Sequence, residues 1–187
     1  MIRACLALLA FAFPAAAQDF SAGSEAQSWN LYAEAPARFE ATVVDPLCLF
    51  TGDCPADCGG GTRQLALLRS ADDVLVMPLK NSQPLFTGAP IELLPFCGAA
   101  VEVDGLLLTD PDLALQNAYQ VQMIRRQGEA EWTRANQWTK DWAARNEGAG
   151  GKGAWYLRDP RILAAIAADG YLGLGPEADK AVLEEAQ

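Results

Sequence analysis

The sequence predicts an α+β protein that is mainly β, with an α-helical extension at its C-terminus. Up to residue 127, short runs of β-branched and aromatic residues alternate partly with polar ones and stop at Gly, Pro, Asn or Asp, a pattern typical of strands. From residue 128 onward the pattern becomes helical. Five strand-like runs with one long connection after the third match the order of a five-stranded OB-like Greek-key barrel. A small β-sandwich or an open meander is the alternative.

The candidate strands fill residues 39–127, which we expect to form the β-barrel domain. Each strand mixes β-branched or aromatic residues with polar ones, and turn residues separate one strand from the next. The connection at residues 80–98 is long enough to hold one helical turn, expected around the sequence IELLPF. The five segments are 39–44, 63–69, 73–79, 99–108 and 118–126.

Residues 128–187 form the expected helical extension. Its first helix is predicted over residues 131–146, where Trp138 and Trp142 stand four residues apart and therefore share one face. Glycines at residues 148–153 then interrupt the chain. The extension is thus expected to contain several short helices rather than one long one.

Two proline-started helices follow. Asp159 before Pro160 is the signal of an N-cap followed by the first helical position, and this helix should end at Gly170. Pro176 begins the last helix. The middle helix is expected to be amphipathic, because its apolar residues recur at helical spacing. They are Ile162, Leu163 and Ile166.

The N-terminus has the pattern of a secretory signal peptide. Arg3 precedes an apolar run from Leu6 to Phe13, and the sequence PAAAQ then offers small residues for cleavage. We expect residues 1–17 to be removed, which makes Gln18 the first mature residue, in a bacterial periplasm. The apolar run is too short to span a bilayer, so no stable membrane insertion is expected after cleavage. Residues 18–38 are interpreted as a loosely ordered lead-in.

The net charge of the chain limits the kinds of molecule that it is expected to bind. The chain has 14 Lys and Arg residues against 24 Asp and Glu residues, a formal net charge of −10. Phosphate backbones and anionic lipids attract clustered Lys and Arg, so nucleic acid and anionic membranes are disfavoured as partners. The acids are scattered along the chain, which indicates a solvated surface rather than an acidic tail.

The chain contains no histidine. This excludes Ser-His and Cys-His nucleophile pairs and most catalytic zinc or copper sites. Glu102 and Asp104 lie two residues apart on a predicted strand, the spacing of a carboxylate pair for acid–base catalysis. Because Val101 and Val103 fill the opposite face, we interpret the two acids as the solvent side of a half-buried strand. The sequence therefore predicts no enzymatic activity, no catalytic residue, no cofactor and no metal site.

Four cysteines remain after removal of the signal peptide, and an even number in an exported protein indicates two disulfides. Three of them lie in one loop and the fourth follows the long connection. One bridge is therefore expected from the loop to the distant cysteine, and the other within the loop. A thiol-redox or metal-handling role is the alternative, although no C-x-x-C motif is present. The four are Cys48, Cys54, Cys58 and Cys97.

The remaining functional signal is a concentration of aromatic and apolar residues outside the strands. Such residues are frequent anchors in protein interfaces, although they could equally pack the extension on the barrel. We therefore expect an exported, non-catalytic accessory or binding protein that contacts another protein or a membrane complex through its extension. The candidate partner-binding residues are Trp132, Trp138, Trp142, Trp155, Tyr156, Tyr171, Leu172 and Leu174.

Overall fold

The computed structural model describes residues 18–30, 33–79, 88–110, 115–151, 155–170 and 175–185. The predicted signal peptide, residues 1–17, lies outside the described residues. Six strands and five α-helices are present in the described part of the chain. The strands are β1 Glu34–Val44, β2 Ala66–Arg69, β3 Leu75–Pro78, β4 Ala100–Asp110, β5 Leu115–Arg126 and β6 Thr133–Arg134. The helices are α1 Pro46–Thr51, α2 Gly88–Leu93, α3 Trp138–Arg145, α4 Pro160–Asp169 and α5 Pro176–Glu185.

The first five strands form a closed mixed β-barrel. β1 pairs antiparallel with both β2 and β4, β2 pairs with β3, and β4 pairs with β5. A parallel pairing of β3 with β5 closes the ring, and β6 extends it from β5. The order around the ring, 1-2-3-5-4, with α2 between β3 and β4, is that of an OB-type Greek-key barrel. The predicted barrel is therefore confirmed.

β1 begins before its predicted start. It pairs with β4 from Glu34 onward, but with β2 only from Ala41 onward. Pro36 therefore lies in a part of β1 where only one ladder is formed, which is where a strand tolerates proline. The predicted strand starts at residue 39, five residues after the observed start at Glu34.

The core lies inside the barrel and is centred on Tyr119 of β5. This side chain is fully buried, its hydroxyl donates to the carbonyl oxygen of Ala37 at 2.7 Å, and its ring contacts Phe39 with a centroid distance of 4.8 Å. Burial raises the pKa of Tyr119 well above 10.0, and the nearby charge of Asp104 adds to this effect. Tyr119 is therefore neutral at the centre of the barrel.

Gly105 of β4 lies against the side chain of Tyr119, which belongs to the neighbouring strand β5. The register between β4 and β5 shifts at this glycine. A β-carbon placed there would lie 2.1 Å from the backbone oxygen of Gln120 and 3.0 Å from Cζ of Tyr119. Only glycine leaves room for the two strands to approach this closely.

Residues 18–30 are not loosely ordered, in contrast to the sequence-based expectation. Phe20 packs edge-on against Phe39 with a centroid distance of 5.6 Å, and the guanidinium of Arg69 lies 4.2 Å from the centroid of the Phe20 ring. The backbone N–H of Arg38 donates to the carbonyl of Phe20 at 2.8 Å. One aromatic side chain thus fixes the start of this segment on the barrel.

Two buried polar side chains hold the rest of the segment. Asp104 accepts from Ser24 Oγ at 2.5 Å and from the backbone N–H of Glu25 at 2.7 Å. Gln122 accepts from the backbone N–H of Gln27 at 2.9 Å and donates to its carbonyl at 2.7 Å. Asp104 is only 4% exposed, so the interpretation of this residue as solvent-facing is wrong. The N-terminal segment covers that face of β4.

The loop between β1 and β2 is held by both disulfides. Cys48 is bonded to Cys54 within the loop, and Cys58 is bonded to Cys97, which follows α2. This is the arrangement that the cysteine spacing predicts. Asp45 caps α1 by accepting from two backbone N–H groups.

The first helix of the extension is shorter than predicted. Within residues 131–146, Thr133 and Arg134 form β6, and α3 begins only at Trp138. The edge of β5 offers hydrogen-bonding partners that override local helix preference. The helices that begin at Pro160 and Pro176 are confirmed. In the described part of the chain, no helix has both the length and the apolar character needed to cross a membrane.

Candidate functional site

Three tryptophans of the extension pack against one another. The ring centroids of Trp138 and Trp155 are 4.3 Å apart, and those of Trp142 and Trp155 are 5.6 Å apart. Trp138 and Trp142 are almost fully buried, and α3 also packs against α2. This burial favours a packing role for these two side chains over partner contact. They form the small core of the extension.

Trp132 lies away from this cluster, on the barrel. The guanidinium carbons of Arg38 and Arg125 lie 5.1 Å and 4.3 Å from its ring centroid, close enough for cation–π attraction. Both arginines also donate to the carboxylate of Glu102, with Nε of Arg38 at 2.6 Å and Nε of Arg125 at 2.8 Å. Burial by itself raises the pKa of Glu102, but the two arginine hydrogen bonds outweigh burial and leave that pKa below 4.5. Glu102 is therefore a charged structural group.

Asp159 connects the tryptophan cluster to α4. One carboxylate oxygen accepts from Nε1 of Trp142 at 2.9 Å, and the other accepts from the backbone N–H of Arg161 at 2.8 Å, as the N-cap of α4. The guanidinium of Arg161 also donates to this carboxylate. These hydrogen bonds, with that of Arg161 the strongest, hold the pKa of Asp159 well below 3.8. A buried carboxylate thus fixes the start of α4 on Trp142.

Beyond this anchor, the extension leaves large apolar side chains uncovered. The main packing neighbour of α4 is the 3-10 helix Trp155–Arg158 that precedes it. The exposed fractions are 66% for Leu157, 50% for Leu163, 47% for Tyr156 and 38% for Ile162. We call these four side chains the apolar face. An isolated exposed leucine is ordinary, whereas several on neighbouring elements indicate an interaction site.

A groove of about 410 Å³ runs beside the apolar face. Leu157, Pro160 and Leu163 form its apolar wall, and Ala149 and Gly150 form part of the other side. The groove is open to solvent and presents no pair of titratable side chains for acid–base chemistry. The arrangement suits the binding of apolar side chains of another molecule.

The predicted partner-binding residues thus fall into three groups. Tyr156 is on the apolar face, whereas Trp132, Trp138, Trp142 and Trp155 pack within the protein. Tyr171, Leu172 and Leu174 lie outside the described residues, so their prediction stays open.

The sequence analysis did not single out Leu157 as a contact residue, and it described Ile162 and Leu163 only as part of an apolar stripe. Their helical spacing marks an amphipathic helix, but it cannot tell whether the stripe faces the barrel or solvent. Comparison of the chain with protein-family models, with curated proteins and with solved structures finds no match. The site is therefore interpreted from its own geometry.

We expect Asp159→Asn to destabilise the protein by about 1–2 kcal/mol at neutral pH, because the charged hydrogen bonds with Arg161 weaken while the N-cap oxygen is kept. The pKa of Asp159 is lower in the folded state than its ordinary value of 3.8, so this stabilisation is present above pH 3.8 and is lost as the pH falls further. Thermal unfolding of the wild type and of Asp159→Asn, at neutral and at acidic pH, measures this difference in stability. Asp169→Asn, an exposed site on the same helix, is the control. If the difference in stability between the two proteins is as large in acid as at neutral pH, the charged carboxylate of Asp159 is not its source.

Proposed function

We propose that this protein is an exported, non-catalytic accessory or binding protein that contacts a protein partner through the apolar face. The observation that carries the proposal is the contrast within α4. Its start is fixed by a buried carboxylate, yet Ile162 and Leu163 are left in water. A helix that served only to close the fold would place its apolar stripe against the barrel.

The energetics favour such a contact. Fully burying one large apolar side chain is worth about 1.5–3 kcal/mol, and the apolar face offers four of them. Because Asp159 and the tryptophan cluster already hold the start of α4 in place, less conformational entropy is lost when a partner binds. Because these side chains are 38–66% exposed, a partner with an apolar surface of matching shape would gain roughly half of this free energy from each of them.

The disulfides also bear on the compartment. Two disulfides fit an oxidising, extracytoplasmic compartment, where such bonds persist. Within this proposal, the compartment is a bacterial periplasm, reached through a signal peptide that is cleaved before Gln18. The partner would then be another exported protein or the exposed part of a membrane complex.

The alternative function, thiol-redox or metal handling, requires cysteines that can react or bind a metal. Cys48, Cys54, Cys58 and Cys97 are all engaged in disulfides. Within the described ranges, no cluster of three or more Cys, Asp or Glu side chains is arranged to hold a metal ion. The described residues therefore offer no specific support for this alternative.

The test combines capture with substitution. The mature protein is used to capture partners from native periplasm and solubilised membrane, and the affinity of each purified candidate is then measured for the Leu157→Ala and Leu163→Ala double variant. We expect a loss of about 2 kcal/mol or more, roughly thirtyfold in Kd, with an unchanged melting temperature.

Phe50→Ala is the matched control, because Phe50 is an exposed apolar side chain on α1, distant in sequence from the extension. It should leave binding unchanged. Equal binding by the wild type and the double variant would show that the apolar face is not the contact surface. A large fall in the melting temperature of the double variant would instead assign Leu157 and Leu163 to packing.

A further inference from the structure

A second cavity lies on the barrel, apart from the apolar face. It measures about 300 Å³ and is enclosed between the N-terminal segment, residues 24–27, the sheet surface of β1, β4 and β5, and residues 132–136. We call it the N-terminal cavity. Its volume lies at the lower end of the range for small-molecule sites, roughly 300–1,000 Å³. It is large enough for a small ligand and too small for a folded partner.

The floor of the N-terminal cavity is polar and already satisfied. Asp104 accepts from Ser24 and from the backbone of Glu25, and Arg38 donates to Glu102 and to the carbonyl of Gly23, the latter at 3.0 Å. These groups are committed to contacts within the protein. They keep the walls in place and satisfy the hydrogen-bonding groups of the floor.

Two opposite charges on the cavity wall are not committed in this way. The carboxylate of Glu25 and the guanidinium of Arg134 form no hydrogen bond or ion pair with any other described residue, yet both line the cavity. They come from different elements, the N-terminal segment and β6. The charge of Glu25 acts on nearby Arg38, but its carboxylate, like the guanidinium of Arg134, keeps its hydrogen-bonding capacity for a ligand.

Neighbouring groups extend the positive side and provide an apolar wall. Asn136 lines the cavity two residues after Arg134, and because its Oδ1 accepts from Nε2 of Gln137 at 3.0 Å, its amide group remains a donor. Arg134 and Asn136 can therefore both donate to one carboxylate. Met123 and Trp132 supply apolar surface in the same cavity.

The walls are fixed before any ligand binds. Gln122 holds the N-terminal segment through Gln27, and its backbone carbonyl accepts from the N–H of Ala135 at 2.9 Å on the other side. One residue of β5 thus ties both walls of the cavity. A ligand would not have to order them, which lowers the entropic cost of binding.

From this arrangement we propose that the N-terminal cavity binds a small zwitterion, an α-amino acid or a dipeptide. The ligand carboxylate accepts from Arg134 and Asn136, its ammonium group donates to Glu25, and its side chain contacts Met123 and Trp132. Neutral sugars would neutralise neither charge, and anions or cations alone would neutralise only one. This site is independent of the partner contact proposed for the apolar face.

Titration calorimetry of the mature protein with L-leucine and glycyl-L-leucine tests the proposal. At least one of these probes should bind saturably, and removal of either charge, in N-acetyl-leucine or leucinamide and the corresponding blocked dipeptides, should weaken binding roughly tenfold or more. Backbone amide shifts in NMR spectra should report the contact at residues 24–27 and 132–136.

Glu25→Gln and Arg134→Met should each weaken binding by a similar factor with little change in the melting temperature, because both side chains are exposed and neither forms a hydrogen bond or ion pair with another described residue. Arg145→Met, which removes an exposed arginine on α3, is the control and should bind as the wild type does. The proposal is overturned if neither zwitterion binds at millimolar concentration, if the blocked probes bind equally well, or if both cavity variants bind as the wild type does.

Discussion

Gly105→Ala will unfold or severely destabilise the protein, with an expected loss of about 3 kcal/mol or more. The new methyl group would lie 2.1 Å from the backbone oxygen of Gln120, far inside van der Waals contact. Backbone atoms of a paired strand cannot move aside as a flexible side chain would. To make room, β4 and β5 must separate, which also disturbs Tyr119 in the centre of the core.

Thermal unfolding measures this effect. A loss of 3 kcal/mol corresponds to a fall in melting temperature of at least about 6 °C for a protein of this size. Gly148→Ala is the matched control, because no atom lies within 4 Å of the position of its β-carbon and its φ is not positive. That variant should melt within about 2 °C of the wild type. Similar melting temperatures for all three proteins would show that the strands do not cross as closely as described.

Removal of the Cys58–Cys97 disulfide will also destabilise the protein strongly. The two cysteines are 39 residues apart, and the chain-entropy model gives about 4 kcal/mol for a loop of that length. The Cys48–Cys54 bridge spans only 6 residues, for which the same model gives about 2 kcal/mol. Removing Cys58–Cys97 should cost more stability because the longer loop that it closes gains more conformational freedom in the unfolded state.

Urea unfolding of two double variants separates the bridges. Cys58→Ala with Cys97→Ala should lower the free energy of unfolding by about 4 kcal/mol, and Cys48→Ala with Cys54→Ala by about 2 kcal/mol. The second variant serves as the control for the loss of two cysteines. The reverse order, or equal losses, would refute the assignment of the long bridge as the principal covalent constraint.

Local patterns predicted most of the barrel. Each of the five predicted runs contains a strand, because alternation and turn residues act over a few neighbouring residues. The presence of one disulfide in the loop and one to Cys97 was predictable from the even number of cysteines, but the sequence does not determine which loop cysteine joins Cys97. The proline-started helix at Pro160 was likewise encoded locally.

Features that depend on distant residues were not predictable. Ser24 is 80 residues from Asp104, and no periodicity indicates that the first would cover the second. β6 forms because the edge of β5 is free to pair with it, not because Thr133 and Arg134 prefer a strand. For the candidate site, the apolar stripe on α4 was visible in the sequence. Whether that stripe faces the barrel or solvent depends on where the tryptophan cluster places the helix.

The strand order also determines when this barrel can form during synthesis of the chain. β1 is completed by β4, whose residues 100–110 come long after it in the chain, and the parallel contact of β3 with β5 needs residues up to 119. A chain that is synthesised from its N-terminus therefore cannot close the ring until more than half of its length has been made. Such non-local pairing also makes folding slow, in the range of roughly milliseconds to seconds. The topology therefore delays closure of the barrel until the residues of β5 are available to pair with β3.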